Sequence, residues 1–158
     1  MSDKSSLAAE SGVVQTAGGA RFSVSVTVFR ALIAWLLILA LAIVNGALRE
    51  GVLIPKLGTA AGLMLSGLML SACVAAVAVA LMAWLGRVST RQCLGIGAFW
   101  LALTLGFEFG FGRSVRHKSW PELLDAYTFK DGNLWLLVLV VVFFAPLLAA
   151  HLWTRRRA

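Results

Sequence analysis

The stretch that decides the fold runs from residue 57 to residue 86 and reads LGTAAGLMLSGLMLSACVAAVAVALMAWLG. It lies between Lys56 and Arg87 and holds 30 residues without a charge. A helix needs only about 20 apolar residues to cross the hydrocarbon core of a bilayer. The stretch therefore predicts a membrane-spanning helix with length to spare, which a tilt or an interfacial first turn at residues 58–61 absorbs.

Three further stretches repeat this pattern. Residues 31–48 and 132–154 carry no charge, and residues 92–112 carry only Glu108. The whole chain is 60% hydrophobic and 13% charged, whereas a soluble domain holds about 25% charged residues. A water-soluble globular fold is thereby excluded. We predict an all-α integral membrane four-helix bundle, with spans at about 30–48, 58–85, 92–112 and 133–153.

The chain on either side of the spans is polar. Residues 1–20 are rich in Ser, Ala and Gly, which predicts a flexible tail. Residues 22–29 alternate apolar and polar side chains, and we interpret them as an interfacial lead-in. This N-terminal part is too long for the n-region of a signal peptide, so we expect the first span to remain in the protein. The expected domains are a tail and lead-in (1–29), a membrane domain (30–153) and a basic C-terminal end (154–158).

Basic residues set the expected orientation. The net charge is +7, and the Lys and Arg residues lie beside the spans, where headgroups and topology account for them better than nucleic acid does. Eight of them fall on the side of the two termini and six on the other side. We therefore predict that both termini are cytoplasmic, and that the partner is the lipid bilayer and not nucleic acid.

Small residues and tryptophans recur within the spans. Spacings of four residues, which let helix backbones approach closely, occur at Gly58, Gly62 and Ser66 and again at Ala72, Ala76 and Ala80. Tryptophan prefers the membrane interface, and we expect interfacial positions for Trp35, Trp84, Trp100, Trp135 and Trp153.

The loop after the third span carries a second helical pattern. Ser119 is followed by Pro121 and Glu122, which is the arrangement of an N-cap, a proline in the first turn and a capping-box glutamate. An apolar stripe follows at helical spacing, made of Trp120, Leu123, Leu124 and Tyr127. We predict an amphipathic surface helix over residues 120–127. The alternative is a lid that folds over a cavity between the spans.

The candidate functional residues form a polar cluster at one depth. Glu108 is the only acid inside a predicted span, and Arg113 follows five residues later. Asn45 precedes Arg49 by four residues, with Glu50 next to it. An ionisable group at membrane depth tends to be paired or to face a cavity. We expect Arg49, oriented by Asn45, to pair with Glu108, and Glu50 to pair with Arg113.

Several chemistries lack the residues they need. His117 and His151 are predicted at opposite ends of the bundle, so they cannot ligate one haem between them. Cys73 and Cys93 do not form an exposed redox pair and are expected to pack as small apolar side chains. The sequence shows no zinc or di-iron spacing, no nucleophile triad and no phosphate loop. We therefore expect no cofactor and no metal, and we predict that the protein is not an enzyme.

Two segments carry a resemblance to other proteins. They are Asn45-Gly-Ala-Leu-Arg-Glu50 and Gly106-Phe-Glu-Phe-Gly-Phe-Gly-Arg113, followed by Ser119-Trp120 and Leu134-Trp135. Between about residues 30 and 153 the chain resembles an uncharacterised group of small four-span bacterial inner-membrane proteins. The resemblance implies the topology and a bacterial cytoplasmic membrane, and it implies no activity.

Three functions fit these observations. The first is a non-catalytic membrane protein, such as an accessory subunit of a larger membrane complex, whose partners are other membrane subunits or further copies of itself. The second is a small oligomeric transporter or channel with Glu108 as its proton or cation site. It is similar to the small multidrug transporters only in having four short spans and one membrane carboxylate. The third is a lipid-acting enzyme that uses Glu108 or His117.

Overall fold

The computed structural model describes residues 4–86, 88–114, 127–128 and 132–155, with side chains placed from residue 25 to residue 153 within those ranges. The described part is all-helical. Its elements are α1 (Lys4–Leu48), a π-helical turn (Arg49–Leu53), α2 (Ile54–Leu57), α3 (Thr59–Leu85), α4 (Thr90–Ser114) and α5 (Trp135–Arg155).

Four helical segments are long and apolar enough to cross a membrane. They are Ser25–Leu57, Thr59–Leu85, Thr90–Ser114 and Trp135–Trp153. Their outward faces are apolar, with large side chains exposed on every span, such as Leu37, Leu68, Phe107 and Leu148. A soluble bundle would place polar residues there. The predicted four-helix membrane bundle is confirmed, and the protein is a multi-pass membrane protein.

The first helix begins earlier than expected. α1 starts at Lys4, so helical backbone covers the residues for which a flexible tail and an interfacial lead-in are expected. The apolar segment that can span the membrane begins at Ser25. The alternation over residues 22–29 therefore does not produce a strand, and the division of the chain at residue 29 stays a prediction. The predicted surface helix over 120–127 lies outside the described residues, apart from Tyr127.

A sharp break joins the first two spans. The π-helical turn leads into α2, and Gly58 then adopts a positive φ of 82° before α3 begins. A side chain at Gly62 would lie 3.0 Å from the backbone nitrogen of Ile54. α2 and α3 therefore approach at van der Waals distance, as the spacing of Gly58, Gly62 and Ser66 predicts. The second predicted small-residue face, Ala72, Ala76 and Ala80, is exposed instead.

Side chains cap the last two spans. Ser89 and Gln92 form a reciprocal capping box at the start of α4, with Ser89 N donating to Gln92 Oε1 at 2.9 Å and Gln92 N donating to Ser89 Oγ at 3.3 Å. Asn133 Oδ1 accepts from Trp135 N at 3.0 Å and caps α5. Both caps have a sequence signal, namely Ser89 three residues before Gln92 and Asn133 two residues before Trp135.

Around the bundle, α1 contacts α3 and α4, and α5 contacts the same two helices from the opposite side. The closest approach is between α4 and α5, where a side chain at Gly97 would overlap the Phe143 carbonyl oxygen. Only glycine fits at this position. Pro146, which is predicted to kink the last span, lies inside α5 and is buried.

Two tryptophans fasten α1 to α4. The indole N–H of Trp100 donates to the Ala31 carbonyl at 2.8 Å, and that of Trp35 donates to Thr104 Oγ1 at 3.1 Å. Trp100 is 0% exposed and Trp35 is 8% exposed. The prediction of interfacial positions is therefore wrong for these two, because their indoles satisfy polar groups inside the bundle. Trp84 does lie at a helix end, half exposed, with the Arg30 guanidinium 4.9 Å from its ring centroid.

Candidate functional site

A cavity of about 360 Å³ lies between all four spans in the half of the bundle that contains Arg49. Its lining follows α1 from Trp35 to Arg49, a rise of about 21 Å at roughly 1.5 Å per residue. In the other half the core contains fully buried side chains, among them Leu81, Met82 and Trp100, and a second pocket of about 260 Å³ lies between α1 and α4 near Ala31 and Phe99. The cavity therefore reaches from one end of the bundle towards its middle and ends at a packed floor.

Polar groups are concentrated at the Arg49 end of the cavity. The polar lining residues are Asn45, Arg49, Ser66, Thr104, Glu108 and Asn133, with the indoles of Trp35 and Trp135. Deeper lining residues are aliphatic, including Ile38, Leu70, Val74, Val138 and Val142. The predicted cluster thus supplies three cavity residues, namely Asn45, Arg49 and Glu108.

Asn45 joins α1 to α3 beside the cavity. Its amide nitrogen donates to Ser66 Oγ at 2.8 Å and to the Ser66 carbonyl at 3.2 Å. Because a carbonyl oxygen can only accept, this contact fixes which end of the amide is nitrogen. Asn45 Oδ1 is buried and accepts no hydrogen bond from the described residues. Asn45 therefore orients α3, and not Arg49 as predicted.

Arg49 forms an ion pair with its neighbour in sequence. Arg49 Nη2 lies 3.0 Å from Glu50 Oε1, and Arg49 Nε donates to the same oxygen at 3.1 Å. The pair lies in the π-helical turn, and the side chains are 31% and 62% exposed. The expected partner, Glu108, lines the same cavity. Arg49 thus pairs with Glu50, the residue that follows it in the π-helical turn, and not with Glu108 as expected.

Glu108 lines the cavity from the inner face of α4. Trp100, Thr104, Glu108 and Gly112 follow one another at intervals of four residues, which places them on one side of a helix. One carboxylate oxygen of Glu108 is fully buried. Gly106 lies on the opposite side, where an added side chain would meet no neighbour within 4 Å. The Glu108 carboxylate therefore faces the interior of the bundle, and Gly106 faces outward.

Arg113 and Glu50 lie at the rim. Arg113 is exposed at the end of α4, and Glu50 is exposed in the π-helical turn. No ion pair joins Glu50 to Arg113 among the described residues. Trp120, Leu123 and Leu124 of the predicted surface stripe lie outside the described residues.

Tyr127 contacts the bundle at the polar end of the cavity. Its ring stacks on Phe109 of α4 with centroids 6.0 Å apart. Burial raises the pKa of its phenol above the ordinary 10.0, the negative charge of Glu108 raises it further, and the Trp135 indole lowers it. Tyr127 therefore lies close to Glu108 and Trp135, two residues that line the cavity.

Sequence reasoning missed several cavity residues. In the sequence, Ser66 fits only a spacing of small residues, and Trp35 and Trp135 fit only the pattern of interfacial tryptophans. Thr104 can be placed from the sequence, because it precedes Glu108 by four residues, about one helical turn, and so shares its helix face. Among the described residues, no group of three His, Cys, Asp or Glu side chains is placed to hold a metal ion.

The fold and the cavity together define a class: a polytopic helical membrane protein with a polar cavity between its spans. No protein family, curated protein or solved structure matches this chain. Any statement about its function therefore depends on the cavity itself.

Proposed function

We propose that this protein is a small carrier or channel of the membrane that binds a proton or a cation at Glu108. The observation that carries the proposal is that Glu108 lines a cavity between all four spans. A carboxylate at membrane depth is costly and is typical of ion pathways and proton relays when it faces a cavity. The cavity volume of about 360 Å³ falls within the roughly 300–1,000 Å³ of small-ligand sites.

The test compares two carboxylates in vesicles. The purified protein is reconstituted with a trapped pH-sensitive dye, and cation and proton fluxes are recorded under an imposed gradient. We expect flux with the wild type and its loss with Glu108→Gln, which keeps the shape of the side chain and removes its charge. Glu50→Gln, which changes an exposed carboxylate outside the cavity lining, should retain the flux. Equal flux through Glu108→Gln and wild type would reject the proposal.

An accessory subunit is the second candidate, and one observation favours it. The alanine face of α3 and the glycine face of α4 are exposed, and small residues permit close approach by another helix. A cysteine at Ala76 should then cross-link to a neighbouring subunit in native membranes, whereas one at Leu68 should not. Cross-linking at neither position would leave this candidate without support.

We further propose that the protein belongs to the group of small four-span bacterial inner-membrane proteins that it resembles, with both termini cytoplasmic. The excess of Lys and Arg on the side of the termini supports this orientation. Reporter fusions after Arg87 and Ala158 should report the cytoplasm, and a fusion after Thr128 should report the outside. A periplasmic C-terminus would overturn the orientation.

A further inference from the structure

The cavity has a side opening between α1 and α4. Of all its lining residues, three are exposed on the surface of the bundle, namely Ile43 at 60%, Phe107 at 37% and Phe111 at 42%. Ile43 belongs to α1, and the two phenylalanines belong to α4. The lining residues contributed by α3 and α5 are buried or half-buried. Among the described lining residues, surface exposure is therefore confined to the seam between α1 and α4.

The bonds between α1 and α4 explain where this seam opens. Trp100 and Trp35 fasten the two helices at Ala31 and Thr104. Beyond these bonds, towards Arg49, small residues replace large ones on α1: Ala42 and Gly46 line the cavity, and a side chain at Gly46 would meet no neighbour within 4 Å. The two helices are thus joined at the floor of the cavity and separated above it.

The flanks of the opening are apolar and lie within a membrane span. Phe107 and Phe111 stack with ring centroids 5.3 Å apart. The residues flanking the seam belong to Ser25–Leu57 and Thr90–Ser114, two segments long and apolar enough to cross a membrane, so a bilayer around these segments would border the seam. A ligand that passes this opening must be dissolved in the bilayer.

Polarity within the cavity specifies the ligand further. The deep end is mostly aliphatic, with the Trp35 indole bonded to Thr104 at the floor, while the end near Arg49 holds the Glu108 carboxylate and the side-chain oxygen of Asn133. Glu108 is the acidic side chain among the described residues that line the cavity. This arrangement suits an amine or ammonium head group above an apolar chain, because a charge-assisted hydrogen bond forms at one end and apolar burial occurs at the other.

We infer that the cavity takes up a single-chain amphiphile with an amine head group from the bilayer, through the seam between Ile43 and the pair Phe107 and Phe111. The chain lies along Leu70, Val74 and Val142, and the head group lies at Glu108. The inference deepens the proposed function, since it names the ligand and its route into the same cavity. The proposed event is non-covalent binding, in which no covalent bond is made or broken.

The test uses tryptophans that already line the cavity. A dodecylamine with bromine on its chain quenches indole fluorescence on contact and is added to the full-length protein in lipid nanodiscs. We expect a saturable component of quenching over the linear background of partitioning. Trp35→Phe should remove part of that component, because Trp35 lies at the deep end. The brominated alcohol of equal length should bind more weakly, and Glu108→Gln should abolish this preference for the amine.

A matched pair of glycine variants tests the route. Gly46→Leu places a side chain in the opening, and Gly106→Leu places the same side chain on the outer face of α4; neither position has a neighbour within 4 Å, so both variants should fold. We expect Gly46→Leu to lose the saturable quenching and Gly106→Leu to keep it. Unchanged quenching in both variants would overturn the side entry.

The flux and quenching measurements can reject the carrier or channel and the amphiphile site independently of each other. Glu108-dependent flux without saturable quenching would reject the amphiphile and keep the cation site. Saturable quenching that depends on Glu108, without any flux, would reject the carrier or channel and keep the amphiphile site. Quenching that rises only linearly, with no flux, would reject both.

Discussion

The amide nitrogen of Asn45 in α1 donates to both the hydroxyl and the backbone carbonyl of Ser66 in α3, at 2.8 and 3.2 Å. Ser66 is 2% exposed, so these bonds form where water does not compete. They hold the first two spans in register at the level where the cavity carries its charges. The arrangement makes Asn45 a structural residue that also forms part of the binding wall.

Removing this contact should destabilise the bundle moderately. We expect Asn45→Ala and Ser66→Ala each to lower the free energy of unfolding by about 1 kcal/mol, since interhelical hydrogen bonds in membranes contribute about 0.6 to 1.7 kcal/mol. The double variant should lose less than the sum, because both changes remove one interaction. Unfolding in mixed micelles measures this. Ser71→Ala is the control, since Ser71 bonds only to Gly67 of its own helix; strictly additive losses would contradict the contact.

Two glycines of α4 should respond in opposite directions. Gly97→Ala places a methyl group against the Phe143 carbonyl oxygen, and such overpacking costs about 1–3 kcal/mol. Gly95→Ala meets no neighbour within 4 Å and should stabilise the helix by up to about 1 kcal/mol through propensity. Thermal stability in detergent distinguishes the two variants. Equal melting temperatures would contradict the close approach of α4 and α5.

The exposed ion pair should matter little for folding. Arg49 and Glu50 are 31% and 62% exposed, so solvent screens their attraction, and we expect Arg49→Ala to cost less than about 1 kcal/mol. If Arg49 instead neutralised Glu108, Arg49→Ala would lower the free energy of unfolding by several kcal/mol, because a buried charge would lose its partner. Comparison of the free energies of unfolding of Arg49→Ala and Glu50→Gln decides between the two pairings of Arg49. A loss of several kcal/mol for Arg49→Ala alone would support the pairing with Glu108 instead.

Titration of the single tyrosine should report the charge of Glu108. Tyr127 is the only tyrosine of the chain, so tyrosinate absorbance follows this residue alone. Glu108→Gln should lower the pKa of Tyr127 towards its ordinary value, because a negative charge nearby opposes loss of the phenolic proton. An unchanged pKa in Glu108→Gln, with Glu50→Gln as control, would contradict their proximity.

The same pKa shift sets a stability window. The fold raises the pKa of Tyr127, so it favours the neutral phenol. This contribution to stability is fully present below the ordinary pKa of 10.0 and is lost as the pH rises through the higher pKa of the folded protein. Tyr127→Phe should therefore unfold less readily than wild type only at strongly alkaline pH.

The membrane spans of this protein and the depth of its polar cluster follow largely from the sequence by itself. Four stretches with few or no charges predicted four spans, because a helix in hydrocarbon must be apolar along its whole length. Three of them end within two residues of the prediction, whereas the first extends beyond its predicted bounds of 30–48 to Ser25–Leu57. The polar cluster was also predicted at one depth, since the rise per residue is fixed in a helix. Asn45, Arg49 and Glu108 do line one cavity.

The tertiary structure decided how those residues are paired. Arg49 begins the π-helical turn at Arg49–Leu53 and pairs with Glu50, the next residue of that turn, and not with Glu108. Trp35 and Trp100 could not be placed inside the bundle from the sequence, because an indole suits an interface as well as a buried carbonyl. The cavity lies between the four spans on the Arg49 side of the bonds made by these tryptophans. Composition and spacing determine depth in the membrane, but rotation about each helix axis, and so which side chains meet, depends on packing between helices.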